Sequence, residues 1–285
     1  MTARPGAALR ALLDSGTFVV APGIYDGLSA TLVERHGFAA AYVSGAAAAL
    51  VNLARPDLGL LSAGDMAQHV TRLRAATSLP LIVDIDTGYG NEVNVRHAVE
   101  TFERLGAAAV HIEDQEFPKR CGHLDGKSVV PADVAASKVR AAVASRTDML
   151  VIARTDAIAT LGVDEAIERG NRFADEGADL IFVEAPRTVA ELERIAAEVH
   201  APVLVNVVPQ GRTPVLPLDE YRQLGFAMAI LPSATLGAAA AAMGSALSSL
   251  ARTGVPDAAG PGPVELFELV GLSEWLTWSG KYNPA

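Results

Sequence analysis

Residues 108–127 read Ala-Ala-Val-His-Ile-Glu-Asp-Gln-Glu-Phe-Pro-Lys-Arg-Cys-Gly-His-Leu-Asp-Gly-Lys. An apolar run ends abruptly in Glu113 and Asp114, and a loop then sets Lys119, Arg120, Cys121, Gly122 and His123 side by side. Proton-transfer and nucleophilic groups crowd there around a glycine that lets backbone approach closely. Cys121 is the single cysteine of the chain. With Lys119, Arg120 and His123 beside it, its thiol could be held as thiolate or poised as an acid. The same stretch would also suit a charged, solvated loop around an inert thiol, so the rest of the chain has to decide.

Other reactive groups recur where apolar runs end. Such ends carry Tyr42-Val-Ser44-Gly45, Asp84-Ile-Asp86, Glu113-Asp114, Arg154-Thr-Asp156, Glu184, Asn206 and Pro232-Ser233. In a strand, residues i and i+2 share a face, so Asp84 and Asp86 can point the same way, with Glu113 on the neighbouring strand. Convergent carboxylates repel one another unless a cation lies between them. A hard divalent ion with oxygen ligands, several of them water, suits such a place, and Mg²⁺ fits best, with Mn²⁺ as a substitute. The other duties open to these carboxylates are capping helices or pairing with Arg154.

Eight short apolar runs must position these groups: 18–21, 39–43, 80–83, 108–112, 149–153, 179–183, 202–205 and 226–231. They are continuous rather than alternating, as strands covered on both faces should be. Helical patterns lie between most of them. Val95, Ala98, Val99, Phe102 and Leu105 follow helical spacing, with Gly106 at the expected C-terminal stop. Ser62-Ala-Gly-Asp65 and Thr188-Val-Ala-Glu191 read as capping boxes. Strands alternating with helices eight times predict an α/β fold, a (β/α)8 TIM barrel, whose chemistry sits at the C-terminal strand ends. Residues 1–253 are expected to form the barrel. The Gly-Pro-rich stretch after Thr253 reads as a linker, and 254–285 as a C-terminal helical extension packed on the barrel or on a neighbouring subunit.

The chain has 285 residues, 50% hydrophobic and 20% charged, enough for one large core. A net charge of −10 argues against nucleic acid or an anionic membrane as partner. One cysteine excludes an intramolecular disulfide and suits the cytoplasm, and the first residues read as a short amphipathic helix without an export signal. From Gln223 to Ala251 no charge occurs, a length that could span a bilayer. Its Pro232-Ser233 break and Gly-Ala texture read instead as a strand and a small-residue helix in buried core. No Gly-x-Gly-x-x-Gly follows the first strand, and no phosphate-binding Gly-Lys-Ser/Thr loop occurs.

Asp84-Ile-Asp86-Thr-Gly-Tyr-Gly-Asn91, Ile112-Glu-Asp-Gln115 and Pro118-Lys-Arg-Cys-Gly-His123 together resemble the isocitrate lyase and phosphoenolpyruvate mutase superfamily. Arg154-Thr-Asp156, Phe182-Val-Glu184-Ala185 and Asn206 fall in that family's order, so the likeness spans nearly the whole chain. Lys-Arg-Cys-Gly-His is similar to the signature of its lyase branch (isocitrate, 2-methylisocitrate and 2,3-dimethylmalate lyases) and of carboxyphosphonoenolpyruvate mutase. The resemblance implies a metal set of Asp84, Asp86 and Glu113. It implies substrate binding by Tyr42, Ser44, Gly45, Asp57, Gly122, Glu184 and Asn206, with Ala46 beside them. Cys121 would be the acid/base, supported by Lys119, His123 and Arg154. It further implies a homotetramer whose last helix is swapped between subunits.

The implied reaction is Mg²⁺-dependent cleavage of a 2-hydroxy di- or tricarboxylate, of alkylmalate or methylisocitrate type, into a 2-oxoacid and a carboxylic acid. Departures from the family pattern matter. The run Asn206-Val-Val-Pro-Gln-Gly211 lacks a glutamate common there, and no arginine follows Pro232-Ser233 closely. Both point to a smaller or less charged substrate. The rival readings are a phosphonomutase, an oxaloacetate decarboxylase and a barrel that merely binds a small acid. His36, His97 and His200 read as surface or packing residues, His111 as structural, Tyr89 as shaping the metal loop, and Trp275 and Trp278 as packing or interface residues.

Overall fold

A computed structural model describes residues 4–256 and 260–283, so three residues of the expected linker, 257–259, lie outside the described residues. Eight strands appear, one in each apolar run: β1 (Val19–Pro22), β2 (Ala41–Val43), β3 (Leu81–Asp84), β4 (Ala107–Glu113), β5 (Leu150–Thr155), β6 (Leu180–Val183), β7 (Val203–Asn206) and β8 (Met228–Leu231). All pair in parallel in the order β1-β8-β7-β6-β5-β4-β3-β2. A Gly23–Tyr42 bridge and the Ile24 N–H donating to the Tyr42 carbonyl (2.9 Å) bring β1 and β2 together. The result is a nearly closed (β/α)8 barrel.

The helices are α1 (Pro5–Asp14), α2 (Gly27–Arg35), α3 (Gly45–Ala48, running into a π-helical turn), α4 (Ala63–Ala76), α5 (Glu92–Arg104), α6 (Ala132–Ser145), α7 (Ile158–Leu161), α8 (Val163–Asp175), α9 (Val189–Glu198), α10 (Leu218–Leu224), α11 (Ala234–Thr253), α12 (Pro263–Glu268) and α13 (Leu272–Gly280). Local chemistry explains several boundaries. Ser62 with Asp65 and Thr188 with Glu191 form the two expected capping boxes. Helix α5 buries Val95, Ala98, Val99 and Phe102, and Gly106 follows its end at φ +85°.

Two apolar layers hold the barrel. Strand residues such as Val19, Ile82, Leu150, Leu180, Leu204 and Met228 fill the interior, where Leu9 of α1 joins them. Their neighbours Leu81, Val83, Val151, Ile181, Val203 and Ala229 face outward onto the helices. Each fully buried aliphatic side chain contributes about 1.5–3 kcal/mol. Every residue of β3 to β7 is buried, which is why those runs do not alternate in polarity.

One expectation fails. The uncharged stretch from Gln223 to Ala251 is not all buried core, because Met228, Ala229 and Ile230 of β8 are buried while α11 has no buried residue. Helix α11 leaves the barrel wall, and among the described residues none covers its Met243, Leu247 and Leu250. By length and composition it could cross a membrane. Helices α12 and α13 also bury no residue, and Trp275 and Trp278 are exposed.

Candidate active site

Strand ends and the loops after them bring ten of the expected residues onto one cavity of about 140 Å³. Its wall includes Tyr42, Ser44, Asp57, Asp84, Cys121, Gly122, His123, Arg154, Glu184 and Asn206, with Ala46, Val208, Pro232 and Ser233 completing it. Gly45, Asp86, Glu113 and Lys119 do not line the cavity and lie behind its wall. A larger cleft of about 500 Å³ between α5 and α6, lined by Glu92, Arg96 and Glu100, holds none of these groups.

The carboxylates converge by a different route from the one expected. Strand β3 ends at Asp84, and Asp86 lies past it in left-handed backbone at φ +49°. Strand periodicity therefore does not align the pair. The Asp86 N–H donates to Asp84 Oδ1 (3.0 Å), while the Gly45 N–H donates to Asp84 Oδ2 (3.0 Å). A Cβ on Gly45 would sit 3.0 Å from that same oxygen, so the position favours glycine. Glu113 ends β4 opposite Arg154 of β5, and its Oε2 lies 3.3 Å from Arg154 Nη1.

Lys119 stands among these acids, its Nζ 2.6 Å from Asp57 Oδ1 and 2.7 Å from Asp86 Oδ1. Burial opposes its charge, but Asp86, Asp84, Glu113 and Asp57 outweigh burial and raise its pKa well above the ordinary lysine value. Burial and then Asp84 push the Asp86 carboxyl up to about 7. Burial likewise drives Glu113 well above its ordinary value, against the pull of Arg154. Asp86 Oδ1 has the Lys119 ammonium at 2.7 Å as its ion-pair partner, while Glu113 Oε1 has no hydrogen-bond partner. Among the described residues no three acidic, histidine or cysteine side chains are spaced to close on one ion. The donor set itself suits a hard cation, with only oxygens, surplus negative charge and one buried acceptor, Glu113 Oε1, that no donor satisfies.

The loop carrying Cys121 is tied down on several sides. Gln115 accepts from the Arg120 N–H (2.9 Å) and donates to the Arg120 carbonyl (2.8 Å). The Cys121 N–H donates to the Asp57 carbonyl (3.3 Å). The Arg212 N–H donates to His123 Nδ1 (3.3 Å), and Arg212 Nε donates to the His123 carbonyl (3.1 Å). His123 Nε2 lies 3.4 Å from Asn206 Nδ2 and 3.8 Å from Glu184 Oε1. Burial lowers the His123 pKa, so the ring is neutral at pH 7. Burial raises the Cys121 thiol, only partly offset by the His123 N–H it accepts, so near neutrality it is an acid rather than a thiolate.

Three residues outside the expected set belong to this site. His111 Nε2 lies 2.8 Å from Asp84 Oδ1 and 3.2 Å from the Tyr42 hydroxyl, with its ring stacked on Phe182. Burial lowers its pKa to about 4 despite Asp84, so it is a neutral support. Its two-residue spacing from Glu113 was the available signal. Asp156 accepts from Arg154 Nε (2.9 Å) and Nη2 (3.0 Å). Lys127 donates to Asp156 Oδ1 (2.9 Å) and to the Gly122 carbonyl (2.5 Å), and its pattern in the sequence carried no hint of this.

A parallel barrel with acids, a protonated thiol and a buried arginine gathered at the C-terminal strand ends defines an enzyme of the (β/α)8 class. Residues 9–251 match the phosphoenolpyruvate phosphomutase family. A 2-methylisocitrate lyase of Aeropyrum pernix is 41% identical over 251 residues, covering 88% of this chain and 81% of that protein. The 2,3-dimethylmalate lyase of Eubacterium barkeri is 40% identical over 239 residues, 83% of each. Oxaloacetate acetylhydrolase in complex with 3,3-difluorooxalacetate is a solved structure with a TM-score of 0.94 and 38% identity, covering 99% of this chain and 98% of that one. Phosphonopyruvate hydrolase in complex with oxalate and Mg²⁺ gives 0.88 and 32%, covering 99% of both chains. The chain belongs to the phosphoenolpyruvate mutase/isocitrate lyase superfamily and is a carbon–carbon lyase within it.

Proposed function

We propose that the chain cleaves the C2–C3 bond of a 2-hydroxy dicarboxylate of the alkylmalate type, releasing a 2-oxoacid such as pyruvate and a carboxylic acid. The observation that carries this reading is Cys121, protonated and on the same cavity wall as Arg154, Glu184 and Asn206. Mg²⁺, with Mn²⁺ as a substitute, would be held by Asp84, Asp86 and Glu113, and the Mg²⁺ complex of the phosphonopyruvate hydrolase supports that choice. Bound there, it would acidify the substrate hydroxyl and stabilise the developing carbonyl.

The residues divide the remaining work. Tyr42 and Ser44, with Ala46, surround the 2-oxoacid half and Gly45 behind them holds Asp84, while Asp57 and Lys119 pin the loop over it. As the hydroxyl proton passes to water and C2 becomes a carbonyl, the C2–C3 bond breaks and its electron pair passes to C3. Arg154 stabilises the carboxylate into which that charge spreads. The Cys121 thiol donates its proton to C3 and is left as a thiolate for solvent to reprotonate. Gly122, His123, Glu184 and Asn206 line the half that becomes the free acid, and the loop keeps water from the carbanion.

Charge and size favour two carboxylates over three. Among the described residues Arg154 is the one arginine or lysine on the cavity wall, which Val208, Pro232 and Ser233 complete without charge. A third carboxylate would meet no cation there. The same features favour a second reading, hydrolysis of oxaloacetate to oxalate and acetate, which the fit to the acetylhydrolase supports.

Proton NMR of the purified protein with Mg²⁺ and a mixture of 2,3-dimethylmalate, 2-methylisocitrate and oxaloacetate tests both, repeated with EDTA and with Cys121→Ser. Pyruvate with propionate, lost on either change, is the expected result. Succinate in its place would restore the tricarboxylate. Acetate from oxaloacetate would select hydrolysis. Oxaloacetate decarboxylated as fast by Cys121→Ser would sink the lyase reading, and complete silence would redirect the search to phosphonate substrates of a mutase.

A further inference from the structure

The loop that carries Cys121 turns back on itself and ends at Lys127, whose side chain is 1% exposed. A lysine ammonium is rarely buried this deeply unless partners replace its water. Lys127 Nζ has two partners, the Gly122 carbonyl and Asp156 Oδ1. Asp156 is fully buried and grips Arg154 through both oxygens, sharing Oδ1 between Arg154 Nη2 and Lys127. Burial alone would raise the Asp156 carboxyl, but Arg154 and Lys127 hold it down at about 2. Asp156 therefore remains the anion that joins the two cations.

Gly122 closes the circuit. A Cβ there would lie 2.6 Å from Glu184 Cδ and 2.7 Å from Arg154 Nη2, so the loop backbone rests directly on the Arg154–Glu184 pair. On the other side, Asp114 fixes the base of the assembly. It accepts from the Asp156 N–H (2.9 Å), the Thr155 hydroxyl (2.7 Å) and Arg169 (3.0 Å). Cys121 is bonded directly to Gly122. The place of the thiol and the orientation of the guanidinium are thus set through one ammonium.

We propose that Lys127 is a positioning residue that locks the Cys121 loop shut over Arg154, so that the proton donor and the carboxylate-stabilising arginine are aligned together. Lys127 does not line the cavity and touches no reacting atom. Its effect passes through the Gly122 carbonyl and Asp156. Only the consequence for turnover rests on the lyase reading, since the lock itself is formed without substrate.

The test is alkylation of Cys121 by iodoacetamide, followed by mass spectrometry, in the full-length wild type and in Lys127→Met, with no substrate present. Cys121 is the sole cysteine, so every adduct reports that site. Lys127→Met keeps the apolar stem, removes the ammonium and leaves Asp156 paired with Arg154. Deleting a nearby cation favours the neutral thiol and would slow alkylation. Faster alkylation therefore reports an opened loop rather than a changed pKa. We expect a rise of roughly tenfold or more from that local opening. Lys127→Arg should recover most of the protection. On the substrate identified by NMR, kcat should fall by about 10²-fold through misplacement of the acid, with KM changed far less.

An unchanged alkylation rate in folded Lys127→Met overturns the proposal. If that variant does not fold, Lys127→Gln, which retains a donor of shorter reach, is measured in its place. Failure of both to fold assigns Lys127 to stability alone and overturns it as well. Faster alkylation with no turnover of any tested acid keeps the lock and removes only the lyase reading.

Discussion

At Cys121, burial and the His123 N–H act in opposite directions on the thiol, and burial wins. A raised pKa means the protonated form persists below that pKa and is lost as pH rises through it. An acid that must hand a proton to a carbanion should therefore work throughout the neutral range. In kcat/KM profiles, the limb attributable to Cys121 is expected above its ordinary value of 9.0. That limb should vanish in Cys121→Ser, whose residual turnover should be lower by roughly 10²–10⁴-fold. A Cys121-dependent limb near pH 7 would mean that the thiolate is the working form. Gly122 makes a second point at this scale. Adding one methyl there forces the loop off Arg154 and Glu184. Gly122→Ala is expected to lose roughly 10²-fold in kcat while the melting temperature hardly moves. Wild-type kinetics in that variant would show that the loop does not rest on the pair during turnover.

Among the elements, helix α11 departs furthest from what sequence reasoning expected. Its small, uncharged residues read as core, yet none is buried. Periodicity reports that a surface needs covering and says nothing about which chain covers it. Between α2, β1, β8 and α10 lies an apolar groove of about 300 Å³ lined by Val20, Leu32, Val33, Phe38, Leu218 and Leu231. This is where a barrel needs its eighth outer helix. Exchange of α11–α13 between subunits would fill that groove in each copy and cover Leu247, Trp275 and Trp278 at the same time. It also gives α11 a reason to be apolar without a bilayer. Light scattering coupled to gel filtration should return four times the 29.6 kDa chain mass. Leu247→Glu, placing a charge on the uncovered face, should shift the protein to smaller species. A monodisperse monomer in the wild type would rule the exchange out. Capping boxes and the α5 repeat were legible because their signals lie within one turn of helix. The destination of α11 was not, because it depends on surfaces far away in sequence.

For the molecule as a whole, the barrel was legible because the constraint is global. Eight runs too apolar for a half-exposed sheet have few arrangements other than a closed one covered by helices. The placement of Asp84, Glu113, Arg154, Glu184 and Asn206 at strand ends followed from that alone. What remained hidden were partnerships between distant loops, such as Lys127 with Asp156 or Arg212 with His123, for which neither spacing nor composition leaves a trace. The acids at the mouth then set a condition on the entire fold. Asp57, Asp84, Asp86 and Glu113 are arranged around Lys119, with Glu113 Oε1 left unsatisfied. A site that is short of positive charge should stabilise the folded chain when a divalent ion arrives, because the unfolded chain offers no such cluster. At a hundred times its Kd, Mg²⁺ should add ~2.7 kcal/mol, which for a chain of this size raises the melting temperature by roughly 5–10 °C. Calorimetry with Mg²⁺ and after EDTA measures it directly and needs no substrate. Asp86→Asn removes one donor and part of the repulsion, so its metal-free form should melt no lower than the wild type while the Mg²⁺ response disappears. An equal response in both proteins would place the ion elsewhere, and Lys119 would then be the permanent counter-charge of the carboxylates.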